Sequence, residues 1–480
     1  MNFQSLTFLG FLALMACIYA SVPARARPLV MLVASLIFYA SWSVPATALC
    51  LIMVTLVYVV AMQIGSATSE RAKGRLAATG VLLVLASLFA FKYVPSLLPR
   101  APAPPSTPDL IALWSGVIAP LGISYYSFKL ISYLLDVYWE KTRPAPDFIT
   151  FANAALFFPQ IVCGPIQKPA ELMPQLYARS QPSIQDAVAG AQRIAFGLFK
   201  KLVVAERLSL VVDPIFSQPA KHTGGQAVIA CYFFALQLYA DFSGLTDIAN
   251  GVAMLFGIKA PENFDNPYFA KNIQEFWRKW HMTLTSWLTT YVFLPLRSLL
   301  RNTGTLGLVV ALIVNMMAIA VWHGVKDSYI LFGAINALYV VMSALTLNAR
   351  NRFFSARPSV ARWRDVWARL ATFHLVVVAF VFFRASSVSS ALQLFGQIAH
   401  WPESDTLRDA AVPGLTVNSI LALFGVVVME AGHYLRSHNT TVQRFSAQPT
   451  WLRWGVSYAF LLAIVLLGVF TKQQFIYAQF

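Results

Sequence analysis

The chain has 480 residues, 58% of them hydrophobic and 12% charged, with a formal net charge of +16 and a mean hydropathy of +0.62. Soluble domains carry about 25% charged residues, so composition excludes a soluble enzyme and predicts an all-α polytopic membrane protein. The surplus of 36 Lys and Arg over 20 Asp and Glu sits in short loops between apolar runs, the positive-inside pattern. No basic-aromatic module that would take nucleic acid is visible.

The first apolar run, near 5–21, has no basic residue before it, and Arg25 and Arg27 follow it. A cleaved signal peptide has the opposite polarity, so an uncleaved first span with its N-terminus outside is expected. Further spans are expected near 28–44, 47–65, 77–97, 110–138, 188–215, 225–257, 305–322, 328–348, 367–384, 416–435 and 452–471. That makes about 11–12 transmembrane helices. Counting from an outside N-terminus puts the basic loops 24–27, 69–75 and 349–364 in the cytoplasm, as the charge rule requires. Two stretches do not read as simple crossings. Residues 148–170 are apolar but interrupted by Pro159, Gly164 and Pro165, and 262–300 hold many charges and aromatics. Both read as re-entrant or interfacial segments. Residues 385–415 read as an external loop with a short amphipathic helix. No repeat or linker divides 1–480, so a single membrane domain is expected. Cys17, Cys50, Cys163 and Cys231 form no CxxC pair, and neither a zinc site nor a disulfide is expected.

Chemistry is concentrated at two histidines, each beside a tryptophan: Trp280-His281 in FWRKWHMTLTSW and Trp322-His323 in AVWHG. Imidazole is the side chain best matched to proton transfer near neutral pH. An ionisable group inside a membrane protein is a functional candidate by default. On a continuous helix Trp277 and Arg278 would share a face with His281; an interfacial Trp-Arg belt is the structural alternative. HExxH is absent, and no carboxylate or Cys cluster offers metal ligands, so no metal is expected. Asp241, Ser243 and Asp247 lie in an apolar run, with Ser243 and Asp247 on one helical face. They could line a substrate path or glue helices together. Lys129 could meet an anionic substrate group, pair with Asp136 two turns on, or snorkel. GxSxG, Walker and Rossmann signatures are missing. These residues by themselves leave a transporter or flippase relay open beside an enzyme.

The ordered segments PLGISYYSFKLISYLLDVY (120–138), FFPQIVCGPI (157–166), YADFSGLTDIANG (239–251), PENFDNPYFAKNIQEFWRKWHMTLTSWL (261–288) and VWHG (321–324) resemble the membrane-bound O-acyltransferases. The resemblance is to the bacterial branch that acetylates polysaccharides or alanylates teichoic acid. QFIYAQF (474–480) is similar to that branch's aromatic tail. The resemblance implies a ring of transmembrane helices around a thin centre. It places the family's near-invariant catalytic histidine on His323 and its His-or-Asn position on His281. Lys129 stands where an uncharged residue would be expected. The implied reaction takes acetyl from cytoplasmic acetyl-CoA, with no bound cofactor, to an exported alginate- or cellulose-like polysaccharide. The implied setting is the bacterial inner membrane, in contact with lipid. A periplasmic acetyltransferase partner and the export machinery would act with it, and the tail Phe475–Phe480 is a candidate docking element. Alternative acceptors are teichoic acid, peptidoglycan or lipid. In this reading His323 is the general base, His281 positions the acyl group or steadies the oxyanion, and Trp277, Trp280 and Trp322 keep the site dry.

Overall fold

The computed structural model describes residues 1–97, 120–162, 164–178, 182–357, 362–404, 417–437 and 448–470. Among them every regular element is a helix, with one isolated antiparallel bridge between Phe264 and Trp280. Among the described residues eight helices are long and apolar enough to cross a membrane, and Leu6–Ser21 and Arg27–Ala40 are shorter apolar helices. The protein is therefore an all-α, multi-pass membrane protein. The described residues form two compact units: Met1–Ile194 with Ile248–Pro261, and Ala195–Asp247 with Glu262–Phe480.

In the first unit, serine side chains start three of the helices. Ser5, Ser43 and Ser69 accept from the backbone N–H groups of Phe8, Ala46 and Ala72, opening Leu6–Ser21, Val44–Ser66 and Glu70–Leu88. Each satisfies a donor that the first helical turn leaves without an intrahelical partner. Val44–Ser66 buries Met53, Val54, Val57 and Ala61 while exposing Ile52, Leu56 and Val59. A helix that is apolar on both faces, with one face exposed, is suited to lipid. Ile123–Tyr138 is buried along most of its length and begins after Gly122, whose φ is 75°. A Cβ there would collide with the Ile161 carbonyl oxygen, so only glycine fits. Of the expected span 110–138, residues 110–119 lie outside the described ones.

The interrupted segment 148–170 contains two short helices, Phe148–Leu156 and Phe158–Ile161, broken at Phe157. Asp147 caps the first by accepting from the Thr150 N–H. Its 9 residues rise about 14 Å, too little to cross a hydrocarbon core of about 30 Å.

The second unit is built around the early part of Gly224–Leu255, a 32-residue helix whose apolar window is 78% buried; the corresponding figure for Thr450–Leu467 is 6%. Polar side chains therefore sit on the former, and lipid-compatible ones on the latter. The expected span 188–215 is one helical run, Ile184–Ser217, with a π-helical stretch at Lys200–Ala205. It carries buried Lys200, Lys201 and Glu206. Gly304–His323, Asp327–Leu345, Arg364–Arg384 and Val417–Ser437 agree with four expected spans. Within 385–415 the helix is Val388–Ser404. Residues 262–300 form short pieces: Ile273–Lys279, Met282–Leu288 and, after a π-helical turn, Leu294–Leu299.

Candidate active site

The local chain around His281 is a break. Asn272 caps Ile273–Lys279 by accepting from the Glu275 N–H. The helix then stops: Trp280 is extended (φ −103°, ψ 126°), and His281 is left-handed (φ 45°, ψ 52°). Met282–Leu288 starts afresh after it. A left-handed non-glycine residue costs roughly 1–2 kcal/mol and needs surrounding structure to hold it. Here residues 263–265 run antiparallel beside 279–282. The Asp265 N–H donates to the Lys279 carbonyl at 3.1 Å, and the Met282 N–H donates to the Asn263 carbonyl at 2.9 Å.

This break corrects the expectation that Trp277 and Arg278 share a helical face with His281. Arg278 is exposed. Trp277 is buried, and its indole N–H donates to Asn336 Oδ1 at 3.2 Å. Trp280 packs in an aromatic cluster, with ring centroids 5.1 Å from Phe264, 5.1 Å from Phe380 and 5.5 Å from Phe276.

The His281 imidazole is buried. Its ring stands edge-on to Phe242 at 4.7 Å and lies 5.6 Å from Trp322. Nδ1 is 3.2 Å from Asn263 Oδ1. The same oxygen accepts from the Thr283 N–H at 3.2 Å and from its hydroxyl at 2.7 Å. Burial pushes the imidazole pKa down to about 3, because a low-dielectric site disfavours the cation. The ring is therefore neutral at physiological pH.

His323 is the last residue of Gly304–His323. Its ring packs edge-on against Trp322 at 4.7 Å and Phe383 at 4.8 Å. Gly324 ends the helix at φ 155°, and a Cβ there would lie 3.2 Å from the Tyr329 ring. The glycine of VWHG thus provides both a backbone angle and clearance. The two histidines, distant in sequence, meet the same indole.

Asp241, Ser243 and Asp247 engage a different partner. Lys200 Nζ donates to Asp247 at 2.7 Å and to Ser243 Oγ at 3.3 Å. Lys201 Nζ lies 2.8 Å from both Asp241 and Glu206. It is Phe242, between the polar positions, that reaches His281, and one helical turn on Thr246 Oγ1 lies 3.5 Å from Asn263 Nδ2. Lys129, in the first unit, is buried and donates to Gln160 Oε1 at 3.0 Å and the Ala154 carbonyl at 3.3 Å. Both acceptors are neutral. Gln160 in turn donates to Gln167 at 2.7 Å.

Sequence reasoning missed Asn263, Thr283, Phe242 and Phe383, and the lysines that answer the acids. Lys200 and Lys201 were the available signal, as adjacent cations inside an apolar run. Among the described residues no group of three or more His, Cys, Asp or Glu is placed to hold a metal ion.

The arrangement is two imidazoles on one indole within an aromatic shell, suited to moving a proton where water is scarce. Comparison with known proteins places it. The model of the membrane-bound O-acyltransferase family matches residues 141–383, which include both histidines. The Probable alginate O-acetylase AlgI of Pseudomonas putida is 32% identical over 89% of this chain and 87% of its own. The Peptidoglycan O-acetyltransferase of Helicobacter pylori is 29% identical over 82% and 77%, and the Teichoic acid D-alanyltransferase of Bacillus subtilis is 30% identical over 56% and 69%. With the family model covering half the chain and the AlgI match covering most of it, the chain belongs to the membrane-bound O-acyltransferase family and is an O-acyltransferase of its alginate-acetylase and teichoic-acid-alanyltransferase branch.

Proposed function

We propose that the protein passes an acetyl group from cytoplasmic acetyl-CoA, across the bacterial inner membrane, to hydroxyls of an exported, alginate-like polysaccharide. The observation that carries this reading is the Trp322 indole packed against both His281 and His323. Acyl transfer from a thioester to a hydroxyl needs a group to take the hydroxyl proton and a group to hold the carbonyl. It also needs water excluded, because water would hydrolyse the donor. Two buried imidazoles and an aromatic shell offer all three. The acetyl donor and polysaccharide acceptor are supported by the similarity to alginate O-acetylases over most of the chain. A periplasmic acetyltransferase taking the group onward fits an acceptor outside the membrane. The tail Phe475–Phe480, expected as its docking element, lies outside the described residues.

A second acceptor, peptidoglycan, is supported by the similarity to a peptidoglycan O-acetyltransferase over 82% of the chain. The experiment is transfer of label from acetyl-CoA in inverted membrane vesicles with the co-expressed export partners, comparing wild type with His323→Ala. Label entering polysaccharide or a partner protein, and lost in the variant, is the expected result. Label in peptidoglycan precursors would move the acceptor, and transfer unaffected by His323→Ala would sink the catalytic assignment.

A further inference from the structure

Asn315 lies on Gly304–His323, eight residues before His323 and so about 12 Å from it along the helix axis. Gly307, Ala311, Asn315 and Ile319 form a buried stripe that leads to Trp322 and His323. Leu306, Val310, Ile313 and Val314 are exposed on the side suited to lipid. Asn315 is 5% exposed, and its Oδ1 accepts no hydrogen bond from any described residue. Two other buried amides of the same unit are answered. Asn336 Oδ1 accepts from the Trp277 indole, and its Nδ2 donates to the Phe332 carbonyl at 2.9 Å. Asn263 Oδ1 accepts from Thr283. An amide carbonyl left unanswered in an apolar interior is costly, and Asn is a poor helix former besides. Leucine would make a more stable helix here. A buried polar group that breaks the local rule for stability is a functional candidate.

The partner of such an amide has to come from a ligand that runs along an apolar wall toward His323. The pantetheine arm of an acyl thioester has that character. It is uncharged and mostly apolar, and it carries two secondary amides behind the sulfur. An extended chain advances about 3.5 Å per peptide-sized unit. The outer amide, between two and three such units behind the sulfur, therefore comes within reach of a side chain set about two helical turns from the reacting carbon. Its N–H is the donor that an Asn oxygen accepts. A sugar chain fits worse, because its hydroxyls would lie unpaired against Ala311 and Ile319. The direction agrees as well. Asp327–Leu345 returns alongside, with Gly333 against Ala320, and the basic segment 349–364, expected in the cytoplasm, follows it. Asn315 thus lies on the side of His323 from which a cytoplasmic thioester arrives.

We propose that Asn315 is a donor-binding residue, whose side-chain amide hydrogen-bonds the outer amide of the pantetheine arm and sets the depth at which the thioester meets His323. This rests on the acyl-transfer reading above and assigns the handle by which the donor is held. CoA and a phosphopantetheinyl carrier protein present the same arm, so Asn315 reads the arm and not what carries it.

The test uses the full chain in lipid nanodiscs, with acetyl-CoA and an acetylated phosphopantetheinyl carrier protein as alternative donors and an alginate oligosaccharide as probe acceptor. Asn315→Leu is expected to raise the donor KM about 3–10-fold, the loss of one hydrogen bond, with kcat and the acceptor KM within about twofold. The donor that is weakened identifies the source of the arm. S-acetyl-N-acetylcysteamine keeps the thioester and the inner amide but lacks the outer one, so its kcat/KM should be the same for wild type and Asn315→Leu. Binding of CoA and of the carrier protein without turnover gives a second readout, with the donor affinity again about 3–10-fold weaker in the variant. The melting temperature of the unliganded protein should hold or rise, because apolar packing replaces an unanswered amide. Asn315→Thr, which keeps an acceptor oxygen, should recover part of the affinity. KM and affinity unchanged for both donors would overturn the proposal. So would equal impairment with the truncated donor, or a lowered melting temperature with Asn315→Thr no better than Asn315→Leu. Wild-type protein that binds a donor in an Asn315-dependent way but transfers no acetyl group would instead refute the acetyl-transfer reading and leave the donor site standing.

Discussion

The two histidines are held in opposite ways. His281 sits in a left-handed break between two seven-residue helices, cross-linked by hydrogen bonds to Asn263 and, through it, Thr283. His323 ends a 20-residue helix and is wedged between Trp322 and Phe383, with Gly324 turning the chain away. The first support is polar and directional and specifies an orientation. The second is steric and specifies a place. A site that must both move a proton and grip an acyl group has use for each.

Loss of either ring should be the largest effect. His323→Ala and His281→Asn are each expected to lower acetyl transfer about 10²–10⁴-fold, measured as label transferred from acetyl-CoA. If the pair acts as a unit, the double variant will be scarcely worse than the poorer single one; multiplicative losses would argue for independent roles. Gly324→Ala attacks the steric support alone. Strain of about 1–3 kcal/mol and the 3.2 Å approach to Tyr329 should displace His323, lowering activity about tenfold or more together with the melting temperature. Gly396→Ala is the control, since nothing lies within 4 Å of its added methyl, and it should leave activity unchanged.

Acid should find the polar support. Burial depresses the His281 pKa to about 3 from its ordinary 6.5, so below pH 6.5 the unfolded chain takes up a proton that the native state refuses. Stability is then lost as pH falls from 6.5 toward 3, by up to about 2 kcal/mol between pH 6.5 and 5. Denaturation midpoints across that range should fall less steeply for His281→Asn than for wild type; equal slopes would mean another group dominates. Thr283→Val is the mildest change. It removes one of the donors to Asn263 Oδ1 and spares the backbone bond, so transfer should drop only a few-fold.

Much of this was legible in the sequence, and the exceptions share a cause. Long apolar runs announce helices whatever surrounds them, so Val44–Ser66, Gly304–His323 and Arg364–Arg384 fell where expected. The motif residues His281 and His323 stood out because imidazole is rare among apolar neighbours. The break at His281 did not, because IQEFWRKWHMTLTSW contains no Gly or Pro. The kink comes from the antiparallel run of 263–265, a tertiary constraint with no local signal. Asp241 and Asp247 were visible as buried acids, but Lys200 and Lys201 were absorbed into a long apolar span whose π-helical turn no periodicity reveals. Asn263 looked like an ordinary loop residue, and only its contacts with His281 and Thr283 disclose its place.

The left-handed backbone at His281 also governs how this position can vary. Outside glycine, Asn, Asp and His are the side chains that enter that conformation most readily. Any ancestor or engineered relative that changes this residue while keeping the 263–265 pairing has a short menu, with asparagine on it and most imidazole mimics off it. Alanine scanning would therefore confound lost chemistry with a refolded loop. Sequence drift here is channelled by torsion angle before selection on catalysis has a choice to make.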